Sequence, residues 1–305
     1  MTYDANFEQV MRTCGVYPTP YRFSDGRRAP MPKNFENMRT ALLTRRSSLS
    51  SDDLESMYED FEGYCIGKSE SHWKQSALPL IKGNKTAFNS DSDVMFTNLD
   101  PFTERDTTVR LKPDFYDGAA FSQVHPTVSH RLNKVIVPTR IDCKVICPNF
   151  FMEIKNPAGD GDVLKRQVMH GGAIGARAMH GLRNYGNRVP KYDDKAYAIS
   201  ATYQGGRLMF FAHHVTPGVE PAPPEYFMTF IKAFEMLDSY DFPGGVMAFR
   251  NARDGAKSTR DRLIKEANQR ASFGTTIDNP IVVSSANSAD IESNDDAADQ
   301  QAHIS

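Results

Sequence analysis

Two ionisable side chains, Glu153 and Lys155, stand two residues apart in the apolar segment 149–156, which reads NFFMEIKN. Alternate residues of a strand share a face, so a strand here places the acid and the amine side by side. An ionised pair inside such an apolar strand is costly unless a metal, a substrate or a partner compensates it. The segment therefore predicts a chemical site at Glu153 and Lys155, or alternatively a plain salt-bridged pair on a half-exposed strand.

A third candidate, Glu70, lies in the first turn of a predicted helix that Ser69 caps and Gly83 helps to end. Glu70 is three residues before Trp73 and therefore falls on the apolar stripe of that helix. A carboxylate on that stripe indicates a site. The alternative is a first-turn acid that the helix dipole favours and that points at water, which is the commoner use of Glu at this position.

A long helix is predicted from Asp162 to about Leu182. Its apolar stripe is dominated by small residues, which let a helix lie close on a sheet. Gln167 lies on or beside that stripe. Arg166, His170 and Arg177 lie on another face, where we expect them to contact nucleic acid.

The composition is ordinary for a soluble globular protein, with 40% apolar and 24% charged residues among 305. No apolar run is long enough to cross a bilayer, and the N-terminus lacks the features of a secretory signal. We therefore expect an intracellular protein, in the nucleus or cytoplasm, with no membrane partner. The four cysteines are too few and too scattered for a disulfide scaffold, and we expect them to be reduced.

Charge divides unevenly along the chain. Residues 276–305 hold six acids and no Lys or Arg, so the rest carries all 36 basic residues, 32 of the 38 acids and a net charge of +4. A mildly basic body permits a polyanionic substrate. The tail lacks aromatic residues and is predicted to be disordered. Within it, Ile281–Val283 resembles a SUMO-interacting motif, which predicts a SUMO-like protein as a partner.

The chain divides by composition into four parts: an N-terminal arm and helix (1–50), a main domain (51–250), a basic C-terminal helix (251–275) and the acidic tail (276–305). Short strands are predicted at 93–97 and 108–115, and a hairpin at 195–203 and 207–215 around Gly205-Gly206. The adjacent His213 and His214 point to opposite strand faces and make a poor chelating pair, so one is expected in the core and one on the surface. A helix is predicted from Pro223 through Leu237.

The order helix, two strands, the strand with Glu153 and Lys155, the helix with Gln167 and a further strand resembles the PD-(D/E)XK nuclease superfamily. More closely, residues 112–119 (KPDFYDGA) and 148–155 (PNFFMEIK) are similar to an uncharacterised fungal branch of nuclease-like proteins. The resemblance covers about residues 50–250. It implies an α/β fold with a restriction-endonuclease-like core, a mixed sheet flanked by helices in the order αβββαβ, with N-terminal helices and an insertion between the motif strands.

The resemblance also implies a magnesium-dependent nuclease, with manganese as the alternative metal, that acts on DNA rather than RNA. A hard cation held by carboxylates neutralises phosphoryl oxygens and supplies hydroxide. Asp114 and Glu153 would bind the metal, the carbonyl of Ile154 would add an oxygen, and Glu70 would bind directly or through water. Lys155 would orient the attacking water or stabilise the transition state, and Gln167 would orient a neighbouring group.

One departure is the separation of 39 residues between Asp114 and Glu153, which is longer than in most members of the superfamily. The insertion is then a substrate-binding loop, or Asp142 replaces Asp114 as the ligand. Asp117 follows Asp114 too closely to replace it without a different strand end. A rival prediction is a catalytically silent binding module with the same fold, because fold does not fix function.

Overall fold

The structure is a computed structural model that describes residues 3–65, 70–83, 88–103, 110–141, 143–219 and 222–273. The acidic tail, the segment Ile281–Val283 and the alternative ligand Asp142 lie outside the described residues. The helices are α1 (Ala5–Thr13), α2 (Phe35–Leu43), α3 (Ser51–Cys65), α4 (Glu70–Lys82), α5 (Pro126–Arg131), α6 (Asn133–Ile136), α7 (Gly161–Asn184) and α8 (Phe242–Ser272). The strands are β1 (Val16–Tyr17), β2 (Asn89–Asp91), β3 (Phe115–Ala120), β4 (Val145–Lys155), β5 (Ala196–Gln204), β6 (Arg207–Thr216) and β7 (Glu225–Glu235).

The fold is α/β, and across the described ranges the strands form a seven-stranded open sheet in the order β1-β7-β6-β5-β4-β3-β2. β4 and β5 are parallel, as are β1 and β7, and the other neighbours are antiparallel. A parallel pair needs a crossover connection, and α7 provides it between β4 and β5. The sheet is therefore mixed, and β4 lies in its interior.

Helices cover both faces of β4. On one face, Phe151 packs against α7, where a Cβ on Gly175 would come within 2.8 Å of the Phe151 ring. On the other face, Phe150 contacts Phe249 of α8 edge to face, with ring centroids 5.4 Å apart. The small residues of α7 thus allow its close approach, as predicted. Phe150, Met152 and Ile154 pack in one core cluster and Phe151 packs in another, which confirms the alternation predicted for β4.

The helix predicted from Pro223 to Leu237 is wrong, because residues 225–235 form β7. The register shifts where Phe211 pairs with Phe230 and Phe210 pairs with Lys232, which leaves Ile231 as an extra residue. Such a bulge interrupts the two-residue alternation. Ile231 and Phe234 then join the same core cluster, and their spacing imitates a helix.

The N-terminal and C-terminal parts belong to the same layers as the main domain. β1 pairs with β7, and α1 is a capped helix in which the Asp4 side chain accepts the amide of Phe7, where the sequence predicted an irregular arm. α8 begins at Phe242, so the boundary expected at residue 250 falls inside a continuous helix. That helix stays intact because its apolar residues, Phe249 and Leu263 among them, are buried on both sides of the boundary.

The hairpin of β5 and β6 is confirmed, with Gly205 and Gly206 at positive φ in its turn. The strands expected at 93–97 and 108–115 are displaced: β2 ends at Asp91 and β3 begins at Phe115, while Thr108 lies outside the described residues. Among the helices that the structure describes, none combines the length and apolarity needed to span a bilayer.

Candidate active site

Asp114 is fixed at the start of β3 by the backbone of β4. It is buried, and its Oδ2 accepts the backbone amide of Ile154 at 2.7 Å. In the structure, the amide of Ile154 therefore binds Asp114. The sequence resemblance gave a role only to the Ile154 carbonyl, as a metal ligand. The bond spans 40 residues of sequence and brings Asp114 beside the strand that carries Glu153 and Lys155.

Glu153 is only 1% exposed, and Asp114 lies close enough to influence its ionisation. Its Oε2 is buried with no hydrogen-bond partner among the described residues. Burial and the negative charge of Asp114 hold the pKa of Glu153 well above its ordinary value, although Lys155 and Lys74 act in the opposite direction. Glu153 is therefore a buried carboxyl group that lacks full compensation.

Glu70 joins the same cluster from α4. Its Oε2 lies 3.9 Å from Nζ of Lys155, and its Oε1 lies 3.5 Å from Nζ of Lys74. Glu70 is also the first residue of α4, where the helix dipole favours an acid, but its carboxylate pairs with two lysines where the alternative interpretation had it point at water. Among the ion pairs described, Lys155 pairs with Glu70 and not with its strand neighbour Glu153, which differs from the plain salt-bridge alternative.

Lys74 is a member of the cluster that sequence reasoning missed. Its Nζ lies 2.5 Å from Asp114 Oδ1 and 3.5 Å from Asp93 Oδ1, in addition to Glu70. Burial disfavours the charged form, but the hydrogen bond to Asp114 and the three nearby carboxylates outweigh it and raise the pKa of Lys74. The spacing of Glu70 and Lys74, one helical turn apart, is the sequence signal that could have found it.

Gln167 lies on α7 above the end of β4 that carries Glu153. Gly171, one turn later, packs on the ring of Phe151, and α7 runs back along β4. The Oε1 atom of Gln167 is buried with no hydrogen-bond partner among the described residues. Gln167 thus places a second uncompensated oxygen on the side of the sheet to which Glu153 points.

The three residues expected to contact nucleic acid face inward instead. His170 and Arg177 are buried, and Arg177 donates to the backbone carbonyls of Asp100 and Pro101. The Arg166 side chain is 13% exposed and pairs with Glu8 of α1 at 3.1 Å. Packing of α1 and of the loop near residue 100 against α7 covers this face, so these side chains are occupied within the protein.

Tyr3, just before α1, also reaches this region. Its hydroxyl lies 3.1 Å from Nδ1 of His170, and its pKa is raised by burial first and by the negative charge of Glu153 second. Nothing in the sequence pattern connected the N-terminus to Glu153. The N-terminal segment therefore forms part of the surroundings of the cluster.

The histidines of β6 belong to a separate place in the fold. His213 and His214 are both buried, so the expectation of one surface histidine is wrong. His213 Nε2 lies 2.7 Å from Ser200 Oγ, and its ring packs on Gly172 of α7, whereas His214 packs on Phe227. Both imidazole rings are therefore inside the protein and not at its surface.

The cluster has the donor chemistry of a site for a hard divalent cation, because Glu70, Asp114 and Glu153 all offer carboxylate oxygens. The buried, unpartnered Oε2 of Glu153 fits a cation as well. In the part of the chain that the structure describes, however, no three His, Cys, Asp or Glu side chains are already arranged to hold a metal ion. The Lys74 ammonium lies among the carboxylates instead.

Comparison with protein families, with curated proteins and with solved structures finds no match to this chain.

Proposed function

We propose that this protein is a metal-dependent nuclease of the PD-(D/E)XK type that hydrolyses phosphodiester bonds. A restriction-endonuclease-like core in the expected order αβββαβ is supported by the sequence of elements α4, β2, β3, β4, α7 and β5. It is also supported by the strand directions, because β2, β3 and β4 are antiparallel neighbours and β4 and β5 are parallel. The preference for DNA over RNA is supported by the sequence resemblance alone.

The observation that carries this proposal is the buried carboxyl of Glu153, with one oxygen unpartnered, beside the carboxylate of Asp114. Two adjacent acids in a low-dielectric site are costly unless a proton or a cation compensates them. The oxygens of a buried carboxylate in a structural ion-pair network normally have hydrogen-bond partners. A cation-binding acid needs an oxygen left free, as Glu153 has.

Asp114 and Glu153 would hold magnesium, or manganese, with Glu70 and the Ile154 carbonyl as further oxygen donors. When bound, the cation supplies positive charge and Lewis acidity for the phosphoryl group. Lys155, paired with Glu70 at 3.9 Å, brings an ammonium to the same place and would stabilise negative charge that develops on the phosphate oxygens. The unpartnered Oε1 of Gln167 can accept a hydrogen bond from a water and orient it.

A catalytically silent binding module is the second candidate. It is favoured by the contact between Lys74 and Asp114, because a permanent ion pair there would occupy a carboxylate that catalysis requires. The two candidates predict different results for the same DNA, since only the nuclease shortens it.

The test incubates the full chain with plasmid and single-stranded DNA, with Mg²⁺ or Mn²⁺ or with EDTA, beside Glu153→Ala and Lys155→Ala. Glu235→Ala is a matched control, because Glu235 forms an exposed ion pair with Arg207. We expect cleavage that requires metal, is unchanged in the control and falls on the order of 100-fold or more in both site variants. Intact DNA with either metal, together with retained DNA binding, would establish the silent module instead.

A further inference from the structure

The ammonium of Lys74 lies where three carboxylates meet. Its Nζ is 2.5 Å from Asp114 Oδ1 and 3.5 Å from both Glu70 Oε1 and Asp93 Oδ1. The side chain is 19% exposed, so water screens these interactions only in part. Three converging carboxylates are the surroundings that a metal cation would have, and here the Lys74 ammonium occupies them.

The backbone around Lys74 is held in place. The preceding residue, Trp73, stacks on Tyr203 of β5 with ring centroids 4.1 Å apart, which fixes this turn of α4 against the sheet. The lysine stem is flexible, so its ammonium can move by a few ångströms while α4 stays where it is. Lys74 therefore carries a mobile ammonium on a backbone that is fixed beside the acids.

Lys74 and a divalent cation cannot share Asp114 without cost. Both need the Oδ1 side of the same carboxylate, because Oδ2 is engaged by the Ile154 amide. Like charges at such short range repel strongly in a partly buried site. Asp93 offers the ammonium an alternative partner at the rim, where its side chain is 52% exposed.

We propose that Lys74 is a built-in counter-ion that stabilises the acidic cluster without metal and competes with the divalent cation for Asp114. On metal binding its ammonium moves from Asp114 to Asp93, so the residue lowers the affinity of the site for metal. This inference rests on the metal site of the proposed function. It assigns to Lys74 the role of setting the metal concentration at which the site becomes occupied.

The first experiment measures Mn²⁺ affinity by calorimetry for the full chain and for Lys74→Gln, Lys74→Arg and Lys112→Gln. Lys112 is the matched control. It is a 50% exposed lysine whose Nζ lies 3.7 Å from Asp93 Oδ1, and no ion pair with Asp114 is described for it. We expect Lys74→Gln to bind Mn²⁺ about tenfold more tightly, Lys74→Arg to resemble the wild type, and Lys112→Gln to change by less than twofold. Equal or weaker binding by Lys74→Gln overturns the proposal.

A second pair of variants keeps the test valid if Lys74→Gln folds poorly. Asp93→Asn removes the alternative partner from an exposed position, and we expect it to weaken Mn²⁺ binding several-fold. Because that loss acts in part through Lys74, we expect it to shrink in the double variant with Lys74→Gln. A loss of equal size in both backgrounds would contradict a movement of Lys74 to Asp93.

Thermal unfolding separates this role from that of a structural ion pair. In EDTA, Lys74→Gln should melt below the wild type, and saturating Mn²⁺ should remove or reverse that difference. A lower melting temperature in both conditions would overturn the counter-ion role. The outcomes also separate the two proposals: tighter Mn²⁺ binding by Lys74→Gln without DNA cleavage refutes the nuclease alone, whereas no Mn²⁺ binding by either protein refutes both.

Discussion

Asp117 and Arg253 form a buried, bidentate ion pair, with both side chains only 1% exposed. Nε of Arg253 donates to Oδ2 at 2.7 Å and Nη2 donates to Oδ1 at 3.0 Å, while Ser90 Oγ donates to the same Oδ1. Asp114, three residues earlier, belongs to the cluster with Glu153. The two acids therefore have separate roles, because β3 begins between them and Arg253 of α8 pairs with Asp117, which the sequence already predicted to be too close to Asp114 to replace it.

Asp117→Asn should destabilise the protein by about 3–5 kcal/mol, because it leaves the buried guanidinium of Arg253 without its charged partner. Asp114→Asn should cost less stability, since its partner Lys74 is partly exposed, but it should abolish Mn²⁺ binding. Urea unfolding in EDTA and Mn²⁺ titration of both variants provide the check. Loss of Mn²⁺ binding by a folded Asp117→Asn protein would show that the two acids have been assigned the wrong way round.

Glu153 should make the metal-free protein less stable as the pH rises. Its pKa is raised well above its ordinary value near 4.5, so the folded state binds the proton more tightly than the unfolded state does. The stability this provides is present below pH 4.5 and is lost as the pH rises towards the folded pKa.

Glu153→Gln removes this effect, so its stability relative to the wild type should increase by up to about 1.4 kcal/mol per pH unit above pH 4.5. Denaturant unfolding in EDTA from pH 5 to 8 measures that difference. The buried histidines titrate alike in the two proteins and cancel. A constant difference across this range would mean that Glu153 is ionised in the folded protein.

Lys155→Ala should separate catalysis from metal binding. The lysine pairs with Glu70 and would act on the phosphate, so we expect cleavage to fall on the order of 10²- to 10⁴-fold. Mn²⁺ affinity should be unchanged or tighter, because one positive charge has left the cluster. Single-turnover cleavage at saturating Mn²⁺ gives the first quantity and calorimetry gives the second. Cleavage within threefold of the wild type would remove Lys155 from the mechanism.

Gly172→Ala should destabilise the protein by about 1–3 kcal/mol or more, because the added methyl group overlaps the ring of His213. Gly255→Ala is the matched control in α8, where a Cβ meets nothing within 4 Å, and we expect it to stabilise by about 0.5–1 kcal/mol. Thermal unfolding of both variants reports the contrast. Equal stability of the two would mean that α7 does not lie as close to β6 as the structure places it.

Local patterns in the sequence were sufficient for several elements. The alternation around Glu153 and Lys155 predicted β4, the small-residue stripe predicted the close packing of α7, and the glycine turn predicted the hairpin of β5 and β6. These features depend on neighbouring residues, whose spacing is visible in the chain. The same reasoning was wrong for β7, because the extra residue at Ile231 depends on its pairing with β6.

The sequence by itself determined which acids and lysines were available, and that Glu153 and Lys155 share a strand face. Only the tertiary structure decided that Lys74 joins the acids, that Asp114 and not Asp117 faces them, and that Arg177 is buried. The reason is physical. The hydrogen bond from the Ile154 amide that holds Asp114 spans 40 residues of sequence, and the ion pair with Arg253 that keeps Asp117 away from the cluster spans 136. Periodicity describes one element at a time, whereas burial and pairing depend on which elements pack together.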